Sequence, residues 1–238
     1  MFKPQMIAEN VKNLQEKIKN ACLAAGRNPD SVTLIAVTKT FGFLEIDEVA
    51  RAGVHDVGEN YVQEVREKKT KVTEPGIRWH FLGHLQSNKV KYVAEWVHLI
   101  HSVDNDNVAA EIQKRGAMLG RVMDVLIELN TSGEQTKFGV KPGKAVDLVR
   151  QISYLPNLNV QGLMTIGPFT SDPEDSRPSF RLLKTVFEEI NSAKLLRQPM
   201  RHLSMGMSHD FTVAIEEGST MVRIGTAIFG TRPKPNVH

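Results

Sequence analysis

The chain has 238 residues, 41% hydrophobic and 24% charged, which allows one sizeable core and is ordinary for a globular protein. Its 30 basic and 27 acidic residues leave a net charge of +3, too small an excess to predict nucleic acid or another polyanion as partner. The single cysteine, Cys22, excludes an internal disulfide framework and suits a reducing, cytoplasmic setting; no apolar run approaches the roughly 20 residues of a membrane span, and the start reads as no secretory signal.

Met6, Ile7, Val11, Leu14, Ile18, Cys22 and Leu23 place one apolar stripe on a first helix, which Gly26-Arg27-Asn28-Pro29 stops. Cys22 reads as a packed small hydrophobe. Strands and helices then alternate. Thr33 to Thr38 is strand one, with a helix from Phe43 to Ala52. Asp56 to Glu59 is strand two, followed by a charged helix from Tyr61 to about Thr73. Arg78 to Gly83 is strand three, with a helix from Ser87 to Trp96. His98 to Val103 is strand four, with a helix from Asn105 to Leu119. Val122 to Asn130 is strand five, with a helix from Pro142 to Tyr154. Val160 to Ile166 is strand six; a polar loop at Thr170 to Pro178 leads into a helix from Phe180 to Leu196. His202 to Gly206 is strand seven, Asp210 to Glu217 a short helix, and Met221 to Gly225 strand eight. The tail Arg232-Pro233-Lys234-Pro235 reads as a frayed end.

Eight βα units in about 200 residues fit a closed (β/α)₈ TIM barrel, preceded by an N-terminal helix and spanning residues 1–238 as a single domain. A doubly wound sheet would show a Gly-rich turn after strand one, and Val37-Thr38-Lys39-Thr40 has none.

In such barrels the chemistry sits at the C-terminal ends of the strands. Strand one ends on Lys39, an amine directly after an apolar run. Partial desolvation there favours the neutral amine, a nucleophile toward carbonyls; the equal alternative is a side chain that snorkels to solvent. Ser204-Met205-Gly206-Met207-Ser208 and Gly225-Thr226 follow strands seven and eight, where barrels frequently build a phosphate site from backbone N–H groups and hydroxyls. Lysine and phosphate loops together suggest a ligand with an aldehyde and a phosphate, which pyridoxal 5′-phosphate has. Arg223 is embedded in the apolar strand Met221-Val222-Arg223-Ile224 and needs a partner. That partner is either a barrel carboxylate, Glu59 or Glu128, or the pyridine nitrogen of the ligand. A permanently protonated guanidinium would keep that nitrogen unprotonated and the ring a weak electron sink.

These residues resemble the pyridoxal phosphate homeostasis protein family, whose members are similar to the N-terminal barrel of alanine racemase. The likeness is carried by Ala36-Val37-Thr38-Lys39, Gly58-Glu59-Asn60-Tyr61-Val62-Gln63-Glu64, Trp79-His80-Phe81-Leu82-Gly83-His84-Leu85-Gln86-Ser87-Asn88-Lys89, Leu203-Ser204-Met205-Gly206-Met207-Ser208 and the stretch from Gly218 to Gly230. The resemblance implies that Lys39 is the Schiff-base lysine, that Ser204, Gly225 and Thr226 cradle the phosphate, and that Arg223 faces the pyridine nitrogen. It places Asn60 beside the cofactor, the Met205-Gly206-Met207 stretch close to it, and Lys137 near its phenolic oxygen. Phe138 departs from the small residue often found at its position. His209 receives no role.

The implied function is cofactor binding in intracellular vitamin B6 homeostasis, without catalytic turnover, by a cytoplasmic monomer that serves apo-enzymes as partners. Alanine racemase requires a second, β-rich domain that supplies a catalytic tyrosine; the sequence leaves no room for one after strand eight, and Tyr61, Tyr92 and Tyr154 fall in predicted helices. An amino-acid racemase remains the alternative, and a Schiff-base aldolase explains Lys39 but not Arg223. His80 and His84 are four apart, a metal-binding spacing on a helix but not on a strand running into a loop, so no metal is expected. The charged run from Arg66 to Lys71 reads as a solvated helix face.

Overall fold

Eight short parallel strands pair in chain order and close on themselves, β1 bonding to β8. The computed structural model describes residues 4–134 and 136–230; the tail at 232–235 lies outside them. The strands are β1 Thr33–Val37, β2 Asp56–Glu59, β3 Arg78–Phe81, β4 Leu99–Val103, β5 Met123–Glu128, β6 Leu158–Met164, β7 His202–Ser204 and β8 Met221–Ile224. The helices are α1 Pro4–Ala24, α2 Phe43–Arg51, α3 Val62–Lys69, α4 Val90–Val93, α5 Asp106–Met118, α6 Ala145–Ile152, α7 Arg177–Ser192, α8 Phe211–Glu216 and α9 Thr226–Phe229. This is the expected TIM barrel with an additional N-terminal helix.

Side-chain alternation divides each strand between two cores. From β1, Ile35 joins Leu99, Leu126, Met164 and Met221 inside the barrel, whereas Ala36 packs outward against α1 with Val222 and Ile224. The apolar stripe of α1, including the buried Cys22, seats that helix on α2, α8 and α9. The larger outer core gathers residues of β3 to β7 beneath α4 to α7, with Phe81 and Phe180 fully buried.

The element limits differ from the expectations where local geometry overrides propensity. Helix α3 ends at Lys69 in a tightened last turn, in which the Lys68 carbonyl accepts the N–H groups of both Lys71 and Val72, at 2.9 and 3.0 Å. After β3 the chain makes a 3₁₀ turn at Ser87–Lys89, and only Val90–Val93 is α-helical. Helix α7 begins at Arg177, three residues early, because Pro178 occupies a first-turn position where no N–H is needed. Strand β7 stops at Ser204 because Gly206 has φ +93° and turns the chain. Helix α9, directly after β8, is the helical turn that completes the eighth βα unit.

Candidate functional site

At the C-terminal ends of the strands lies a cavity of 720 Å³. Val37 and Lys39 line it from β1, Asn60 from the end of β2, Met164 and Ile166 from β6, Arg223, Gly225 and Thr226 from β8. Its remaining wall is Pro168–Ser171 and Met207–Asp210, with Leu82 beneath. Five of the expected site residues therefore meet on one cavity: Lys39, Asn60, Arg223, Gly225 and Thr226.

Lys39 is set on its strand by a buried ionic cluster on the far side of β1. The register places Thr38 beside Glu59, and Thr38 Oγ1 donates to Glu59 Oε1 at 2.6 Å. The Lys68 ammonium, reaching in from α3, donates to the Thr38 carbonyl at 2.9 Å, to Glu59 Oε1 at 2.8 Å and to Glu64 Oε2 at 2.6 Å. Glu64 also accepts the Thr40 N–H at 2.8 Å. The residues on both sides of Lys39 are thus tied to one cluster. Thr40 has φ 69°, a left-handed conformation that costs a non-glycine residue about 1–2 kcal/mol and persists only where neighbours enforce it. Burial pushes the Glu59 carboxyl upward, and the Lys68 charge opposes this. Asn60 is fixed by close backbone contact: a Cβ on Gly83 would come within 2.1 Å of the Asn60 carbonyl oxygen.

Arg223 is buried, yet neither Glu59 nor Glu128 is its partner. Nη1 donates to Ser204 Oγ and Nη2 to the Thr165 carbonyl, each at 2.7 Å. Glu59 is spent on Lys68 and lies outside the barrel wall. Glu128 shares the interior with Arg223 but forms no ion pair with it; burial, then the charge of Asp104, push its carboxyl up to about 7, with Arg223 opposing. Burial likewise pushes the Arg223 guanidinium down to about 10, opposed by Asp210 and Glu128. Both shifts are those of charges held in a poorly solvated interior without a direct counter-ion.

Four expected site residues do not line the cavity. Ser204, expected in a phosphate cradle, is fully buried beneath the floor, where its hydroxyl meets Arg223 and His101. Met205 packs in the outer core. Gly206 is required by crowding, since a Cβ there would lie 2.6 Å from Ala214 Cβ; its turn carries Met207 and Ser208 to the cavity wall. Lys137 pairs with Glu134 at 2.6 Å and donates to the Gly167 carbonyl at 3.0 Å, at the base of the Pro168–Ser171 wall.

Ser208, the last residue of the small-residue run expected to build a phosphate site, lies beside Gly225 and Thr226 and accepts the Ala227 N–H at 3.2 Å. Asp210 on the same wall had no assigned role. Asp210 accepts the Met207 N–H at 2.7 Å and the Ser176 hydroxyl at 2.8 Å, joining two loops of the wall. Only the fold brings those loops together.

His80 and His84 part company as expected. His80 points inward to His101 and Asp56, while Trp79 and Phe81 pack outward. His84 stacks on Phe138 with ring centroids 3.7 Å apart. Among the described residues no group of three or more His, Cys, Asp or Glu could hold a metal ion, and no helix is long and apolar enough to cross a membrane.

The closed parallel barrel places the chain in the class of alanine racemase-like barrels. The family model "Alanine racemase, N-terminal domain" matches residues 4–233. An alanine racemase of Clostridium difficile 630 superposes with a TM-score of 0.76 over 97% of this chain and 59% of its own, at 16% identity, a likeness of fold. Among full-length relatives, the pyridoxal phosphate homeostasis protein of Aquifex aeolicus is 47% identical over 224 residues, covering 94% of this chain and 97% of that one. That of Escherichia coli K12 is 38% identical over 236 residues, covering 95% and 97%. PipY of Synechococcus elongatus, solved with pyridoxal phosphate bound, has a TM-score of 0.81 and 33% identity over 94% of this chain and 100% of its own. The chain belongs to the pyridoxal phosphate homeostasis protein family.

Proposed function

We propose that this protein binds pyridoxal 5′-phosphate at the 720 Å³ cavity, as a Schiff base on Lys39, and serves vitamin B6 homeostasis rather than a reaction of its own. The observation that carries the reading is the meeting of Lys39, Arg223, Gly225 and Thr226 on that one cavity. Its volume lies within the roughly 300–1,000 Å³ of ordinary small-ligand sites. The donor set fits the cofactor. Lys39 supplies the amine, which condenses with the aldehyde and releases water. Ser208, Gly225 and Thr226 offer hydroxyls and backbone on the wall suited to a phosphate. Arg223, a donor without acceptor capacity, suits an unprotonated pyridine nitrogen.

When bound, the cofactor supplies an aldehyde and a conjugated ring that can draw electrons from an attached amino acid. The residues of this chain restrain that chemistry. The Glu59–Lys68–Glu64 cluster holds the backbone around Lys39 in one place. Arg223 would leave the ring nitrogen unprotonated, which would weaken its pull on electrons. None of the three tyrosines lines the cavity, so the general base a racemase takes from a tyrosine has no counterpart there. In this reading the working unit is a monomer, with apo-enzymes as recipients of the cofactor.

An absorbance spectrum of the protein with pyridoxal phosphate, before and after borohydride, tests the reading beside Lys39→Ala. Wild type is expected to show an imine band that reduction removes and the variant lacks. No band in either protein would overturn the proposal. The racemase alternative requires α-proton exchange with some amino acid in deuterated water, and none is expected.

A further inference from the structure

A chain of buried hydrogen bonds crosses the barrel and ends on Arg223. Arg223 Nη1 donates to Ser204 Oγ at 2.7 Å, Ser204 Oγ lies 2.9 Å from His101 Nδ1, His101 Nε2 lies 2.9 Å from His80 Nδ1, and His80 Nε2 lies 2.9 Å from Asp56 Oδ1. Asp56 and its other partner, Arg78, are the first residues of β2 and β3, at the opposite end of the barrel from the cavity.

With both imidazoles neutral, one placement of protons satisfies every link. Asp56 only accepts, so His80 carries its proton on Nε2 and gives it to Asp56, which leaves His80 Nδ1 an acceptor. His101 then carries its proton on Nε2 and gives it to His80 Nδ1, which leaves its own Nδ1 an acceptor. The Ser204 hydroxyl donates there while its oxygen accepts from Arg223. The environment agrees at both ends. Burial would raise the Asp56 carboxyl, but hydrogen bonds from His80 and Arg78 outweigh it and hold the group well below the usual carboxylate range, an acceptor only. Burial keeps His101 neutral, and the Arg223 charge facing it acts in the same direction.

We propose that Ser204, His101, His80 and Asp56 are positioning residues for Arg223: a one-directional relay that fixes the guanidinium before any ligand arrives, with Ser204 acting on the arginine and not on a phosphate. The role assigned to Arg223 rests on the cofactor reading above; the relay itself does not. With Nη1 committed to Ser204 and Nη2 to the Thr165 carbonyl, the guanidinium meets the cavity in one orientation.

Two measurements test this. Nitrogen NMR of the wild-type protein without ligand is expected to show His80 and His101 as neutral rings protonated on Nε2. Protonation of either at Nδ1 would overturn the relay. Second, Ser204→Ala is compared with wild type for binding of pyridoxal phosphate and of pyridoxal, which has the ring and aldehyde but no phosphate. The relay weakens both by the same factor, roughly tenfold for one lost charge-assisted hydrogen bond. Weakening confined to the phosphorylated ligand would show that Ser204 holds the phosphate and refute the assignment. Should Ser204→Ala fail to fold, the wild-type tautomers alone decide. Wild type that shows these tautomers but no imine with pyridoxal phosphate would fail the cofactor reading and leave the relay standing.

Discussion

Replacing Lys68 with methionine removes the cation that organises the strand end carrying Lys39. The ammonium makes three contacts, to the Thr38 carbonyl and to the carboxylates of Glu59 and Glu64. Glu64 is half-buried and can recover water, but Glu59 is fully enclosed and its Oε2 already has no partner. Breaking a buried pair by deleting one member costs about 3–5 kcal/mol. In a chain of this length each kcal/mol moves the melting temperature by roughly 2–4 °C, so Lys68→Met is expected to melt about 10 °C lower near pH 8. The loss depends on pH. Burial already pushes the Glu59 carboxyl up, and without Lys68 the opposing charge is gone. The folded variant then holds a proton that its unfolded chain releases above the ordinary carboxyl range, so its stability falls as pH rises. The gap to wild type should narrow on acidification toward pH 5. Adding Glu59→Gln removes the orphaned charge while keeping an acceptor for Thr38, and should restore much of the loss. Calorimetry of the three proteins at both pH values decides. Equal melting of wild type and Lys68→Met at pH 8, or a gap independent of pH, would refute the clamp.

Three further outcomes follow from the site. The Glu128 carboxyl is raised from 4.5 to about 7 in the fold, so ionising it above that value costs roughly 3 kcal/mol of stability, lost progressively as pH rises through the window between the two. Glu128→Gln should flatten that part of the pH–stability curve, and unchanged urea titrations at pH 5 and pH 8 would contradict it. Gly206→Ala places a Cβ 2.6 Å from Ala214 Cβ at φ +93°, and is expected to destabilise by about 2 kcal/mol or more and weaken ligand binding through Met207 and Ser208. Thr40→Gly relieves the left-handed strain beside Lys39, and its melting temperature should stay within about 3 °C of wild type, because the unfolded chain gains freedom in return.

The barrel was legible because buried parallel strands leave short apolar runs and helices leave stripes; the strand-end rule then pointed to Lys39, Gly225 and Thr226, the charge inside an apolar strand to Arg223, and the family resemblance to Asn60. Depth along the strand was not legible. Ser204 and Ser208 stand in the same small-residue run, and only the left-handed turn at Gly206 separates the one beneath the floor from the one on the wall. Of the two partners left open for Arg223, the carboxylate fails for a related reason. Sequence reasoning pairs a buried cation with a carboxylate, whereas the fold supplies neutral acceptors 19 and 58 residues away. The clamp behind Lys39 was invisible because Lys68 lies in a run that reads as a solvated helix face, yet it is buried.

Peptide mapping of the wild-type protein after incubation with pyridoxal phosphate and borohydride tests the central claim most directly. A single pyridoxyl adduct on Lys39 is the expected result. Adducts spread over surface lysines with Lys39 unmodified, or one confined to another lysine such as Lys137, would contradict it.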